Sequence, residues 1–201
     1  MIIKTKKGGH MGIEFDPVRH EYFEGGVLLP SVTQVLKRVG LLNTKSFSRK
    51  SGDFGKAVHE ATALIDLGER TVEDYKEDSK YKYLCAWELF KESHYPEILE
   101  IEQIVGGVEV GCAGTLDRLV LFPWDPRPWV IDLKTGKTRL WHPVQLAGYC
   151  YAAQKEYRRM TVYIDRCGKF RPEVCEKERD LRIFKGALDF INSELHAGRR
   201  I

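Results

Sequence analysis

The stretch Gly114-Thr-Leu-Asp-Arg-Leu-Val-Leu-Phe122 and, after a proline-rich break, Trp129-Val-Ile-Asp-Leu-Lys-Thr-Gly136 set two carboxylates and a lysine inside apolar runs. In a strand alternate side chains point to opposite faces, so Asp132 and Lys134 project together while Ile131 and Leu133 anchor the other side. Leu116–Phe122 reads as the neighbouring strand, and Pro123-Trp-Asp-Pro-Arg-Pro128 as the connection that turns the chain back. An antiparallel pairing of the two brings Asp117 beside Asp132. Carboxylates held together at low dielectric repel by several kcal/mol unless a cation neutralises them. Hard oxygen ligands of this kind suit Mg²⁺ or Mn²⁺. The same residues also read as a surface ion pair, Asp132 with Lys134, on a half-exposed strand.

The company of these residues favours the site. The order Gly-x-x-Asp, about fifteen residues, then Ile-Asp-Leu-Lys-Thr-Gly resembles the core of the PD-(D/E)XK nuclease superfamily, in particular its RecB-like branch and the phage-type exonucleases. Upstream, Gly55-Lys-Ala-Val-His-Glu-Ala61 is similar to the Gly-x-x-x-His motif of RecB-like nucleases. The resemblance gives His59 a role in holding the metal. Read alone, a histidine on a helix is structural or exposed; Gly55 and Ala63 on its line leave room for another group to approach. Downstream, Gln145 and Tyr149 lie four apart on one helix face and match the Gln-x-x-x-Tyr signature of the same branch, which lines the active site and contacts the DNA backbone. The alternative is an amphipathic helix, Val144 to Tyr157, with Tyr149 in the core.

The resemblance implies a restriction-endonuclease-like α/β core with a mixed central sheet flanked by helices. It implies a metal-dependent DNA exonuclease that hydrolyses phosphodiester bonds, acting in phage or bacterial recombination, repair or DNA processing. Asp117, Asp132, His59 and the carbonyl of Leu133 would hold one or two Mg²⁺ or Mn²⁺ ions, with Glu102, in the preceding strand, at the edge. Lys134 would orient water or stabilise the transition state, and Gln145 and Tyr149 would position the backbone. Arg118, Lys137 and Arg139 border the site as candidate phosphate contacts, or as solvated strand-end charges. DNA ends or single strands are the expected partner, with a recombination or helicase protein to deliver them. Two alternatives remain: a catalytically silent DNA-binding or interaction module, and a structure-specific endonuclease.

Composition bounds these readings. A chain of 201 residues with 43% hydrophobic content suits one domain with a sizeable core. A net charge of +3 and a pI of about 8.5 are compatible with a polyanionic partner without demanding one. No run reaches the length of a membrane span and no signal peptide opens the chain, so a cytoplasmic protein, without membrane contact, is expected. The five cysteines are scattered with no Cys-x-x-Cys, which argues against a disulfide framework and a zinc ribbon. Their placement inside core elements also departs from the iron–sulfur members of the branch, so no such cluster is expected.

Within one domain over 1–201, residues 1–12 read as a flexible basic arm and 13–50 as a hairpin and helix. The span 51–175 reads as the catalytic core and 176–201 as a C-terminal helix. Ser31 with Gln34 forms a capping box for a helix using Val32, Val35, Leu36 and Val39. Gly52–Leu67 is a helix closed by Gly68, with Val58, Ala61, Leu64 and Ile65 as its apolar stripe, and Thr71 to Ser93 is helical with a packing aromatic stripe. Ile98–Val105 and Met160–Ile164 read as strands, Phe170–Cys175 as the partner of the latter, and Arg179–His196 as the last helix.

Overall fold

The computed structural model describes residues 12–42 and 49–196, so the basic arm read over 1–12 falls almost wholly outside the described residues. A small antiparallel sheet comes first, β1 (Ile13–Asp16), β2 (Glu21–Glu24) and β3 (Val27–Leu29), followed by α1 (Val32–Arg38). Ser31 accepts the Gln34 N–H, and the Gln34 side chain accepts the Ser31 N–H in return, so two backbone donors at the start of α1 are satisfied. Then come α2 (Arg49–Asp66), a 3₁₀ turn (Val72–Tyr75), α3 (Tyr81–His94), the strands β4 (Glu97–Gly107), β5 (Cys112–Phe122) and β6 (Asp125–Lys134), α4 (Trp141–Ala152), β7 (Arg158–Ile164), β8 (Phe170–Val174) and α5 (Glu178–His196).

The second sheet runs in the order β4-β5-β6-β7-β8. Its pairs are antiparallel except β6 with β7, which are parallel and joined by the crossover through α4. Helices cover both faces. One layer buries Val32, Leu36, Leu146, Phe184 and Leu188 of α1, α4 and α5 against Leu116, Leu119 and Val130. The other buries Val58, Trp87 and Phe90 of α2 and α3 against Val120, Ile131, Leu133 and Val162. This is the mixed sheet between helices that the sequence implied. Among the described residues no helix is long and apolar enough to cross a membrane.

Four local readings are corrected. The connection between β5 and β6 is the two residues Pro123 and Trp124, because Asp125 already pairs with Phe122. Pro126 and Pro128 are tolerated in the strand since pairing with β5 is irregular between Val120 and Phe122 and pairing with β7 begins only at Trp129, so their missing N–H groups break no ladder bond. The span from Thr71 is broken before α3: Asp74 and Asp78 accept the backbone N–H groups of Thr71 and Lys80, which favours turns over a continuous helix. On α2 the fully buried positions are Val58, Ala61, Thr62 and Ala63, with Leu64 and Ile65 only half-buried. α4 ends at Ala152 rather than running to Tyr157, as Gln154 takes a left-handed φ of 52° before β7.

Candidate active site

Arg118 lies opposite Ile131 in the β5–β6 ladder, which puts Asp117 and Asp132 at facing positions one step further on. The ladder ends there. Asp117 Oδ2 instead accepts the Leu133 N–H at 2.8 Å, so the carboxylate occupies the place of the next strand bond. Asp132 and Lys134 share a face as the alternation requires, with Lys134 Nζ donating to Asp132 Oδ1 at 2.8 Å. The same Nζ stands 2.6 Å from Oδ2, so both oxygens of this buried carboxylate lean on one lysine head. Lys134 also lies 5.5 Å from the centre of the Trp141 ring.

α2 brings His59 to this point, its Nδ1 3.3 Å from Asp117 Oδ2. The small residue ahead of it matters, because a Cβ on Gly55 would meet Thr135 Oγ1 at 3.4 Å, and so α2 sits close against the end of β6. From β4 comes Glu102, whose φ of 50° is unusual for a residue of its type and interrupts the alternation of that strand. Ligand atoms of His59, Glu102 and Asp117 all lie within 4.8 Å of one another and can hold a metal ion.

The electrostatics match a site built around a cation. Burial and the Asp117 charge push Glu102 up to about 7, and burial with the same neighbour pushes Asp132 up to about 6, although Lys134 works against it. Asp117 goes the other way, to about 2: burial is outweighed by His59, Lys134 and the Leu133 N–H. Burial depresses the His59 imidazole but Asp117 more than offsets it, and the net direction is upward. Three buried or half-buried carboxyl groups beside an imidazole, two of them pushed up by burial and mutual repulsion, make a donor set that a hard divalent cation fits.

α4 supplies the opposite wall. Gln145 and Tyr149 are both buried, and Gln145 Nε2 donates to Tyr149 Oη at 3.0 Å and to Thr33 Oγ1 of α1 at 3.2 Å. Burial and the Asp132 and Asp117 charges raise Tyr149 well above its ordinary value, which keeps the phenol protonated. Gly114 is the glycine of the Gly-x-x-Asp segment because a Cβ there would come within 2.9 Å of the Tyr149 ring.

Among the basic candidates, Lys137 and Arg139 are exposed on the loop after β6. Arg118 is corrected. It is 0% exposed and faces α2, where Nε donates to Asp66 Oδ2 at 2.7 Å, Nη2 to Thr62 Oγ1 at 3.3 Å, and Nη1 to the Asp117 carbonyl at 2.6 Å, 3.5 Å from Glu102. A guanidinium so enclosed reaches no phosphate; it braces the carboxylates from behind. Asp66, which the sequence reading passed over, also accepts from Trp87 Nε1 at 3.0 Å and Lys91 Nζ at 2.7 Å. Its signal was present: residues 59, 62 and 66 stand on one face of α2. His142 was missed as well. It is buried with Nδ1 2.9 Å from Tyr163 Oη, and burial, Lys134 and Arg139 lower it to about 3, so it is a neutral support for the loop behind Lys134. The cysteines are free, with Cys112 and Cys175 buried and Cys167 exposed.

A model of the PD-(D/E)XK nuclease superfamily matches residues 75–180, from just before α3 to the start of α5. No curated protein matches the chain.

Proposed function

Since the chain belongs to the PD-(D/E)XK nuclease superfamily, we propose that it is a metal-dependent deoxyribonuclease, working as an exonuclease on DNA ends during recombination, repair or related processing. The observation that carries this reading is the facing pair Asp117 and Asp132, with His59 and Glu102 gathered on the first and Lys134 on the second. His59, Asp117, Asp132 and Glu102 would hold one or two Mg²⁺ or Mn²⁺ ions. The Leu133 carbonyl joins them, since a strand residue presents its N–H and C=O to the same side and the Leu133 N–H is turned toward Asp117. The ion, when bound, supplies Lewis acidity and positive charge opposite the scissile phosphate.

The side chains divide the remaining work. Asp117 is pinned and ionised by the Leu133 N–H and His59, and so it fixes the position of the charge. Lys134, held by Asp132, is a point charge beside the reacting phosphate that orients the attacking water or stabilises the transition state. Tyr149 offers a phenolic proton and Gln145 a buried carbonyl without a hydrogen-bond partner, and these two position the backbone or the water. Lys137 and Arg139 stand at the rim as phosphate contacts.

End-labelled linear DNA digested beside closed circles, with Mg²⁺, Mn²⁺ or EDTA and with Lys134→Ala as the control, tests this. Metal-dependent loss of linear DNA alone, absent in Lys134→Ala, is the expected result and also gives the polarity. Cutting of circles makes the protein an endonuclease. Binding without cutting under any metal makes it a silent DNA-binding module, and full activity of Lys134→Ala removes the assignment of the lysine.

A further inference from the structure

Beyond the carboxylates, a cleft of about 610 Å³ opens at the C-terminal ends of the parallel strands β6 and β7. Open α/β sheets bind ligands outside the carboxyl ends of such strands. One wall is the loop Thr135–Thr138, which begins one residue after Lys134, and the other is the β7–β8 turn carrying Arg166 and Lys169. Lys134 and Tyr163 are ladder partners, so the floor of the cleft continues directly from the catalytic lysine. The rings of Tyr83 and Phe170 line the cleft from the α3 side.

The charged side chains lining this cleft are four cations, Lys137, Arg166, Lys169 and Arg171, against one acid, Asp165. Lys137, Arg166 and Lys169 are exposed and pair with no carboxylate among the described residues. Asp165 also lines the cleft, and its Oδ1 is engaged by the turn, accepting the backbone N–H groups of Cys167 at 2.8 Å and Lys169 at 3.1 Å. Arg171 adds a fourth cation that lies over the Tyr163 ring at 4.3 Å and bonds Glu173. Exposed cations not committed to a carboxylate are available to an outside anion, and several of them beside aromatic rings suit a strand whose phosphates and bases both need a surface. A volume of this size suits a few nucleotides of one strand.

We propose that this cleft is the subsite for a single DNA strand adjoining the scissile phosphate, with Lys137, Arg166 and Lys169 on successive phosphates and the Tyr83 and Phe170 wall against the bases. This rests on the nuclease reading and extends it, because it names the form of DNA that the site grips. The strand runs from Lys134 over the Thr135–Thr138 loop to the β7–β8 turn, and the enzyme holds a tail of about three phosphates beyond the cut.

The test uses the full chain and fluorescence anisotropy in EDTA, with a labelled oligo-dT and a labelled blunt hairpin duplex as probes across a series of salt concentrations. Arg166→Ser/Lys169→Ser is compared with Arg182→Ser/Lys185→Ser, which removes the same charge from α5. The cleft variant is expected to bind oligo-dT about 10-fold more weakly, with a log–log salt slope shallower by about 1.4, which is 0.7 for each lost phosphate contact. The α5 variant should leave both unchanged. Equal losses for oligo-dT and duplex, equal losses in the two variants, or no wild-type binding of oligo-dT overturn the proposal. Wild-type cutting of linear DNA with Mn²⁺ is measured alongside. If cutting occurs and the cleft variant binds normally, the cleft alone is wrong; if no DNA is cut under any metal, the nuclease reading falls.

Discussion

Asp66 and Asp132 are both buried carboxylates beside the same sheet, with side chains 0% and 2% exposed, and their surroundings are opposite in kind. Asp66, on the α2 side, has both oxygens filled by Arg118, Lys91 and the Trp87 indole. Asp132, on the α4 side, has both oxygens against the single Lys134 ammonium and no further donor among the described residues, and burial lifts it to about 6. A carboxylate with every lone pair answered contributes to the fold. One whose burial outweighs its single counter-charge is costly to keep ionised, which marks it as a candidate for holding a cation. A brace and a proposed ligand thus stand back to back, with Arg118 linking Asp66 to Glu102 and to the carbonyl of Asp117, the residue facing Asp132.

The largest effect that would break this contrast belongs to Asp66→Asn. Taking away this carboxylate leaves the buried Arg118 with only the more distant Glu102, and Lys91 with Glu88 alone, and the expected loss is about 3 kcal/mol in urea unfolding. A loss below about 0.5 kcal/mol would show that Asp66 is not the brace. Asp132→Asn should do the reverse. Cutting of linear DNA should fall at least about 100-fold, while the metal-free protein stays as stable or gains slightly, because a repelling charge has been removed. A drop in urea midpoint like that of Asp66→Asn would erase the distinction.

A third expectation comes from pH. Glu102 and Asp132 have folded-state pKa values above their ordinary ones, so the metal-free fold binds more protons than the unfolded chain. Their contribution is full below about pH 4 and is lost as pH rises through 6 and 7. Asp117 is depressed to about 2 and has the opposite sign, its contribution being lost only on acidification toward that value. The metal-free protein should therefore weaken by about 2 kcal/mol between pH 5 and pH 8. Mn²⁺ should restore that loss at pH 8 and do much less at pH 5. Thermal unfolding with and without the ion reads both; equal stabilisation at the two pH values would mean that these carboxylates do not hold it.

The front of the site was legible in the sequence and the back was not, for a physical reason. Asp132 and Lys134 sit two apart in a strand, and Gln145 and Tyr149 four apart in a helix, so local periodicity alone puts each pair on one face. The bond between Asp66 and Arg118 spans 52 residues, and no local period announces it. Arg118 nevertheless carried a sign of its burial, because alternation in β5 puts it on the same side as Val120 and Phe122, both buried. An arginine on that line faces α2 and not the DNA side, so the strand period, and not the charge, decides its role. Glu102 escaped a firm reading because its left-handed backbone breaks the alternation that would have placed it. The prolines of Asp125–Pro128 suggested a loop, since nothing in the sequence says which strand edge is left unpaired.

The smallest effect decides whether brace and ligand are one device or two. Thr62 stands between them, its hydroxyl donating to the His59 carbonyl at 2.8 Å and accepting from Arg118 Nη2 at 3.3 Å. Thr62→Val keeps the shape and removes both bonds, at an expected cost of about 1 kcal/mol. Arg118 still has Asp66 and the Asp117 carbonyl, so its guanidinium stays in place and Mn²⁺ affinity should change by less than about 2-fold. In a double-mutant cycle with Asp66→Asn the Thr62 change should then cost less than it does alone, because the arginine it steadies has already lost its main anchor. Strict additivity would mean that Thr62 only fills space, and a large fall in Mn²⁺ affinity from Thr62→Val by itself would mean that the metal ligands are aligned through the threonine and not through the arginine.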